Sequence, residues 1–295
     1  MEIKEFTEKV RGAIERELGE GYRVELREVT KNNGTLLQGL LIIKEEGNLV
    51  PTIYLDSFYS EYQNGRSLSG IVQVILDIYR RETPHRNFDM DFFRSYELVK
   101  DRICYRLINR QKNERLLEDV PYVEFLDLAV CFYYAYHDDA IGDGTILIHN
   151  SHIDMWKVTT RDLLRCAAEN TPRLYPVYLE AMEEVLKNML DCNEEGMTPG
   201  ENFLSVLTNQ RKTDGAVCMI YPDVLHQHAL QKGKNFYIIP SSVHEVLLLD
   251  DNGEESVEEI KSMIRDVNKN HLEESEILSY RLYYYDFNEK NVRIL

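Results

Sequence analysis

Ala129-Val130-Cys131-Phe132-Tyr133-Tyr134, a polar loop and Thr145-Ile146-Leu147-Ile148-His149-Asn150-Ser151 are echoed downstream by Ala216-Val217-Cys218-Met219-Ile220-Tyr221, a longer loop and Phe236-Tyr237-Ile238-Ile239-Pro240-Ser241-Ser242. Each copy reads as a strand, a connection, a second strand and a Ser-bearing turn, which makes the middle and the end of the chain look like related modules. Gly39 to Ile43 followed by Thr52 to Leu55, Asp56 and Ser57 has the same outline, so the repeat reads as threefold. In that reading the Ser-bearing turns launch the next element of each module.

Working toward the N-terminus, Ile3, Phe6, Val10, Ile14 and Leu18 recur at helical spacing, and Gly19 with Gly21 supplies the stop, so residues 3–18 are expected as an amphipathic helix. Strands are expected at Tyr22–Val29, Leu36–Lys44 and Pro51–Leu55, with Asn32-Asn33-Gly34 and Glu46-Gly47-Asn48 as turns. A helix capped by Asp56 or Ser57 and a second one built on Ile71, Val74, Ile75, Ile78 and Tyr79 complete an α-βββ-α unit. The middle segment is expected to hold a short helix near Phe92, strands around Ile103–Leu107, Leu126–Tyr136 and Thr145–His149, and a helix over Val158–Ala168 capped by Thr159 or Thr160. Asn170-Thr171-Pro172 reads as a boundary, because the residue before a proline is biased away from helix.

Beyond it, Val177–Leu190 reads as a helix, with strands at Phe203–Thr208, Ala216–Tyr221, Phe236–Pro240 and His244–Leu249. A helix is expected over Val224–Gln231. Another should run over Ser256–Asn268, where Ser256 and Glu259 form a capping box, and a closing hairpin should pair Tyr280–Phe287 with Asn291–Leu295. The fold class is therefore α+β: three successive helix-plus-antiparallel-sheet units, with the outline of internal repeats, packed as two or three subdomains. Their bounds are residues 1–87, 88–172 and 173–295.

The chain has 295 residues, 34 of them Lys or Arg and 51 Asp or Glu, for a net charge of −17. Ten of those net negative charges fall in residues 171–295. This balance disfavours direct nucleic-acid and anionic-membrane binding. The N-terminus lacks the apolar core of a secretory signal, and no window approaches the roughly 20 apolar residues of a membrane helix, so a cytoplasmic protein is expected. Five separated cysteines with no C-x-x-C pair argue against a disulfide framework and a structural zinc site.

Chemistry-bearing residues are few. Ser241, Ser242, His244 and Glu245 bring a hydroxyl, an imidazole and a carboxylate into five residues, the types used in nucleophilic hydrolysis. Adjacency is not convergence, and Pro240-Ser241-Ser242 reads better as a turn whose hydroxyls satisfy backbone amides. His149, His152 and Asp154 are the candidate metal ligands, but their spacing does not place all three on one face, and His226-Gln227-His228 has the wrong helical spacing. Asp138 to Gly144 is an acidic glycine-containing turn without the terminal Glu of a calcium loop. Neither phosphate-binding glycine signature is present. Cys131 and Cys218 read as core residues, and Tyr283-Tyr284-Tyr285 puts rings on both faces of one strand. No cofactor is expected.

Val50-Pro51-Thr52-Ile53-Tyr54-Leu55, Phe125-Leu126-Asp127-Leu128-Ala129-Val130, Glu169-Asn170-Thr171-Pro172-Arg173-Leu174, the Ile238–Val246 block and Tyr283-Tyr284-Tyr285-Asp286 resemble domain-of-unknown-function family 5688 over essentially the whole chain. The Pro-Ser-Ser-Val-His-Glu-Val block is also similar to the end of the broader YtpQ-like family. The resemblance implies a bacterial protein of gut anaerobes, often encoded near mobile or conjugative elements. It transfers no catalytic residue.

The expected function is that of a non-enzymatic intracellular protein that binds another protein, as an accessory factor of a mobile element. Two alternatives stay open. One is an acidic inhibitor of a DNA-binding defence protein that imitates DNA with carboxylates of residues 250–276; the other is a hydrolase using Ser241 or Ser242 with His244.

Overall fold

The computed structural model describes residues 1–44, 51–82, 91–138, 142–182, 204–254 and 256–295. The chain divides into two compact units, Met1–Asp91 with Asp138–Gly142, and Phe92–His137 with Asp143–Leu295. Each holds helices and antiparallel strands, which makes this an α+β protein.

In the first unit, α1 (Ile3–Leu18) lays Phe6, Val10 and Ile14 into the core and ends at Gly19, whose φ of 71° only glycine adopts freely. Each of those three side chains contributes roughly 1.5–3 kcal/mol of burial. Strands β1 (Tyr22–Thr30) and β2 (Leu36–Lys44) pair from Tyr22↔Lys44 to Thr30↔Leu36 around the Asn32–Gly34 turn, in which Asn33 and Gly34 both have positive φ. Strand β3 (Thr52–Tyr54) adds to β2. Helix α2 (Asp56–Gln63) follows at once. Asp56 Oδ2 accepts the Gln38 amide at 2.8 Å, tying the start of the helix to β2 instead of capping its own first turn. Helix α3 (Leu68–Glu82) closes the core with Ile71, Ile75, Leu76 and Tyr79. The expected α-βββ-α order stands, with α2 and α3 as its last two helices. The Glu46-Gly47-Asn48 turn lies outside the described residues.

The second unit carries two sheets. In the four-stranded sheet, β4 (Ile103–Asn109) and β5 (Tyr122–Phe125) flank one end of the long strand β6 (Leu128–Asp138), and β7 (Gly142–Leu147) also pairs with β6. The expected strand over Leu126–Tyr136 is thus the second arm of a hairpin, turned at Leu126 with φ of 56°. The interior of the expected Asp138–Gly144 turn lies outside the described residues. Short α4 (Tyr96–Val99) and α5 (Glu114–Leu117) bracket β4, and α6 (Asn150–Trp156) and α7 (Thr160–Leu174) follow β7.

Thr159 caps α7 as expected, its hydroxyl accepting the Asp162 amide. The expected boundary at Asn170-Thr171-Pro172 is overturned, because all three residues lie in the last turns of α7. Asn170 Nδ2 donates to the Lys100 and Ile103 carbonyls, and Thr171 Oγ1 accepts the Tyr105 amide at 3.1 Å. The tertiary partners of Asn170 and Thr171 outweigh the local cost of Pro172 inside the helix.

The six-stranded sheet runs β13-β12-β10-β11-β9-β8, antiparallel throughout, with β8 (Val177–Ala181), β9 (Leu204–Asn209), β10 (Phe236–Ile239), β11 (Val246–Asp250), β12 (Tyr283–Asp286) and β13 (Asn291–Ile294). The helix expected over Val177–Leu190 begins instead as strand β8, paired with β9 from Val177↔Asn209 to Ala181↔Ser205; residues 183–190 lie outside the described residues. Helices α8 (Val224–Lys232) and α9 (Val257–Asn270) match expectation, including the Ser256 cap on Glu259.

The decisive correction concerns the echoed segment. Ala129–Tyr134 is the middle of β6, but Gly215–Ile220 is a 3-10 helix and not a strand. Gly215, Ala216, Val217, Cys218 and Met219 are all buried, so this run has no alternation to mark it as strand or helix. The choice is made by its neighbours. Asp214 enters at φ 51°, and Thr208 Oγ1 donates to the His244 carbonyl at 2.7 Å directly beside Gly215. Segments expected as separate middle and C-terminal units share one hydrophobic cluster, in which Phe132 and Trp156 join Val217, Phe236 and Tyr283.

Candidate functional site

The β10–β11 connection carries Ser241, Ser242, His244 and Glu245, and in it Ser242 and His244 are held by backbone groups. Ser242 is buried, and its Oγ accepts the backbone amide of His244 at 3.0 Å, while its own amide donates to the Glu245 carbonyl. His244 Nδ1 accepts the Asp214 amide at 3.1 Å and its Nε2 lies 3.8 Å from Glu276. The imidazole thus fastens this turn to the 3-10 segment and to the stretch before β12.

His149 and His152 serve α6. His149 Nδ1 pairs with Asp119 at 2.7 Å, and His152 Nδ1 accepts the His149 amide at 3.0 Å as part of a capping box. Burial against Phe93 and Trp156, then the neighbouring His149, hold the His152 imidazole below its ordinary pKa. Asp154 is exposed on the far side of the helix start. Among the described residues, no three His, Cys, Asp or Glu side chains are placed to share a metal ion. Of the His226-x-His228 pair, His228 is buried against Phe236, with Nε2 3.9 Å from Asp250, and His226 points elsewhere. Burial pushes the thiols of Cys104, Cys131 and Cys218 up to about 12, so all three stay protonated and serve as packing groups.

A cleft of about 710 Å³ in the second unit gathers residues that no motif singled out. Its lining includes side chains of the main core: Tyr105, Val130 and Leu164 from β4, β6 and α7, with Met219 and Leu225 around the 3-10 turn. One wall is β5 through Val123 and Phe125, and the other is the β12–β13 hairpin through Tyr285 and Val292. Both β5 and β13 are outermost strands, paired on one side only among the described residues. Polar side chains are few: Glu124, Asp223, His226, Lys290 and Asn291.

His226 Nδ1 lies 3.3 Å from the Tyr285 hydroxyl, and its ring stacks on Phe287. Tyr285 in turn stacks on Phe236 with centroids 5.0 Å apart. Burial, then Asp223 and Asp286, raise the Tyr285 pKa, so the phenol remains a hydrogen-bond donor. Asp223 occupies a left-handed backbone position, φ 61°, at the start of α8. The cleft offers apolar surface with a few orienting polar groups, a lining suited to binding. His226 was visible in the sequence only as half of a histidine pair, and the rest comes from segments up to 187 residues apart whose individual signals read as core.

No curated protein and no solved structure matches the chain. A family model does match, over residues 3–287, nearly the full length. The chain belongs to the family of unknown function DUF5688.

Proposed function

We propose that this chain is a non-catalytic, cytoplasmic binding protein whose cleft takes an extended, apolar segment of a partner protein, in the role of an accessory factor. The observation that carries this reading is the cleft flanked by two outermost strands, β5 and β13, with a largely apolar lining. An outermost strand presents backbone amides and carbonyls that a further strand can satisfy, and apolar subsites then select its side chains. Asp223, on a chain of net charge −17, favours a basic flank on that segment. Four free cysteines among the described residues, three of them buried, suit a reducing compartment. No helix among the described residues is long and apolar enough to cross a membrane.

The DNA-imitating alternative is disfavoured because several of the described carboxylates of residues 250–276 are already engaged. Asp250 faces Lys232 at 3.3 Å, Asp251 accepts the Tyr284 hydroxyl, and Glu274 pairs with Lys112. Lys261, Arg265 and Lys269 also recur every four residues along α9. The hydrolase alternative is disfavoured by the backbone-bound Ser242 hydroxyl.

The test is capture of partners by the tagged full chain at moderate salt, in parallel with Val292→Asp and His226→Ala forms whose circular dichroism matches the parent. Support is a protein retained by the parent and lost from both variants, which also binds through a synthetic peptide of its contact segment. Equal retention by all three forms removes the cleft from consideration, and co-purifying nucleic acid overturns the charge argument.

A further inference from the structure

Strand β1 closes one side of the first unit's sheet, and among the described residues it pairs with β2 alone. Its outer edge therefore carries a row of backbone amides and carbonyls that a further strand would satisfy. Proteins commonly blunt such an edge by keeping it short, bending it with a bulge, or placing proline or lysine in it. β1 uses none of these: it runs nine residues, Tyr22–Thr30, pairs with β2 in one unbroken register, and contains neither proline nor lysine. Its charges are ordered instead. Val24 is buried in the core, so the alternate residues Arg23, Glu25, Arg27 and Val29 stand on the opposite face of the sheet. The Arg23 and Arg27 side chains are 71% and 61% exposed, and they reach Glu25 at 2.8 and 2.7 Å.

This order of charges is its own complement. When a strand pairs antiparallel with a copy of itself about a two-fold axis, the residue on the axis faces itself and residues equally far to either side face each other. Leu26 is the midpoint of β1. With the axis there, the whole strand pairs, Leu26 meets Leu26, and Glu25 of each copy faces Arg27 of the other. Opposite charges placed directly across a ladder stabilise it, and like charges destabilise it. An axis at Glu25, Arg27 or Glu28 sets that residue against itself, and an axis at Val24 engages Tyr22–Leu26 only. We propose that β1 is a homodimer contact, through which two copies of the chain join β1 to β1 about Leu26 and merge their three-stranded sheets into one. The charge pattern selects a second copy over another protein, because the complementarity is the strand's own. A single strand pair buries little area, so the dimer is expected to be weak and reversible. β1 belongs to the first unit and the cleft to the second, so the two proposals stand or fall separately.

The experiment is sedimentation equilibrium of the full chain from micromolar to millimolar concentration, with variants whose circular dichroism matches the parent. The expected result is a monomer–dimer equilibrium. Glu25→Arg and Arg27→Glu each set like charges face to face at both contacts and should weaken it at least about tenfold. An equimolar mixture of these two variants should recover the dimer, because each copy then meets the opposite charge at both contacts. The double variant Glu25→Arg with Arg27→Glu should likewise dimerise as the parent does. Should Glu25→Arg fail to fold, Arg27→Glu against Arg27→Lys carries the test, with the first weakening the dimer and the second leaving it. The proposal is overturned if the parent stays monomeric at millimolar concentration, if the folded single variants dimerise as well as the parent, or if their mixture shows no recovery.

Discussion

Ala129–Tyr134 and Gly215–Tyr221 are close in composition and equally buried, yet one is a strand in the middle of a sheet and the other a 3-10 turn. The first is held by ladders on both sides, Ile103–Asn109 pairing along one edge and Tyr122–Phe125 along part of the other. The second has no ladder. It is held by the Ala216 amide on the Val243 carbonyl, by the Thr208 bridge to His244 and by the absence of a side chain at Gly215. Apolar composition decides that a segment is inside, and backbone partners decide what it becomes there.

The largest expected effect strikes the turn alone. A Cβ on Gly215 would clash with Thr208 Oγ1, sit 2.5 Å from the His244 carbonyl oxygen and 2.8 Å from the Asn209 amide nitrogen. Gly215→Ala should therefore cost about 3 kcal/mol or more by urea unfolding, because two of the obstacles are backbone. Cys131→Ala in the strand should cost only about 1 kcal/mol, the loss of a small buried group. Equal costs would dissolve the contrast. Next in size, Thr208→Val keeps the shape but strips the His244 carbonyl of its donor, and should cost about 1–2 kcal/mol.

The smallest effect is one of pH. His152, after the first segment, and His228, after the second, both have pKa values lowered chiefly by burial. His228 faces Asp250, which opposes the shift, and Lys232, which adds to it. A lowered folded pKa means that the unfolded chain takes up protons first. Stability should thus be at its full value above about pH 6.5 and fall as the pH drops from there through the lower folded pKa values. Unfolding midpoints between neutral and mildly acid pH should show this fall, and His228→Leu should flatten it more than His152→Gln does. The reverse order would place the pH-sensitive packing around the first segment.

Legibility followed the same division. In the first unit, α1 announces itself by Phe6, Val10 and Ile14 on one side, and the Asn-Asn-Gly turn sets the β1–β2 register. In the second unit, Val177–Ala181 read as helix because Leu179, Met182 and Val185 fall at helical spacing, whereas pairing with β9 makes it a strand. Pro172 read as a stop, and the polar partners of Asn170 and Thr171, about 66 to 70 residues away, carry the helix through it. Pro240-Ser241-Ser242 read as a turn, and the Ser242 hydroxyl accepts a backbone amide there, whereas His244 and Glu245, read as the start of a strand, precede β11. The cleft was not legible at all, since Val123, Met219, Tyr285 and Val292 are each ordinary core residues until two strand edges bring them together.

Asp127, in the β5–β6 turn, accepts the Tyr283 hydroxyl at 2.6 Å and the Ser279 hydroxyl at 2.7 Å. Its partners are synthesised more than 150 residues later, and Tyr283 opens β12, which lies between β10 and β13. While the ribosome is still working, β10 has a bare edge and Asp127 has neither of these hydroxyls. The second unit therefore cannot close until residues 279–286 have been synthesised. A chain broken off near residue 280 would be a sticky one, with the β12 edge of Phe236–Ile239 offered to any passing strand.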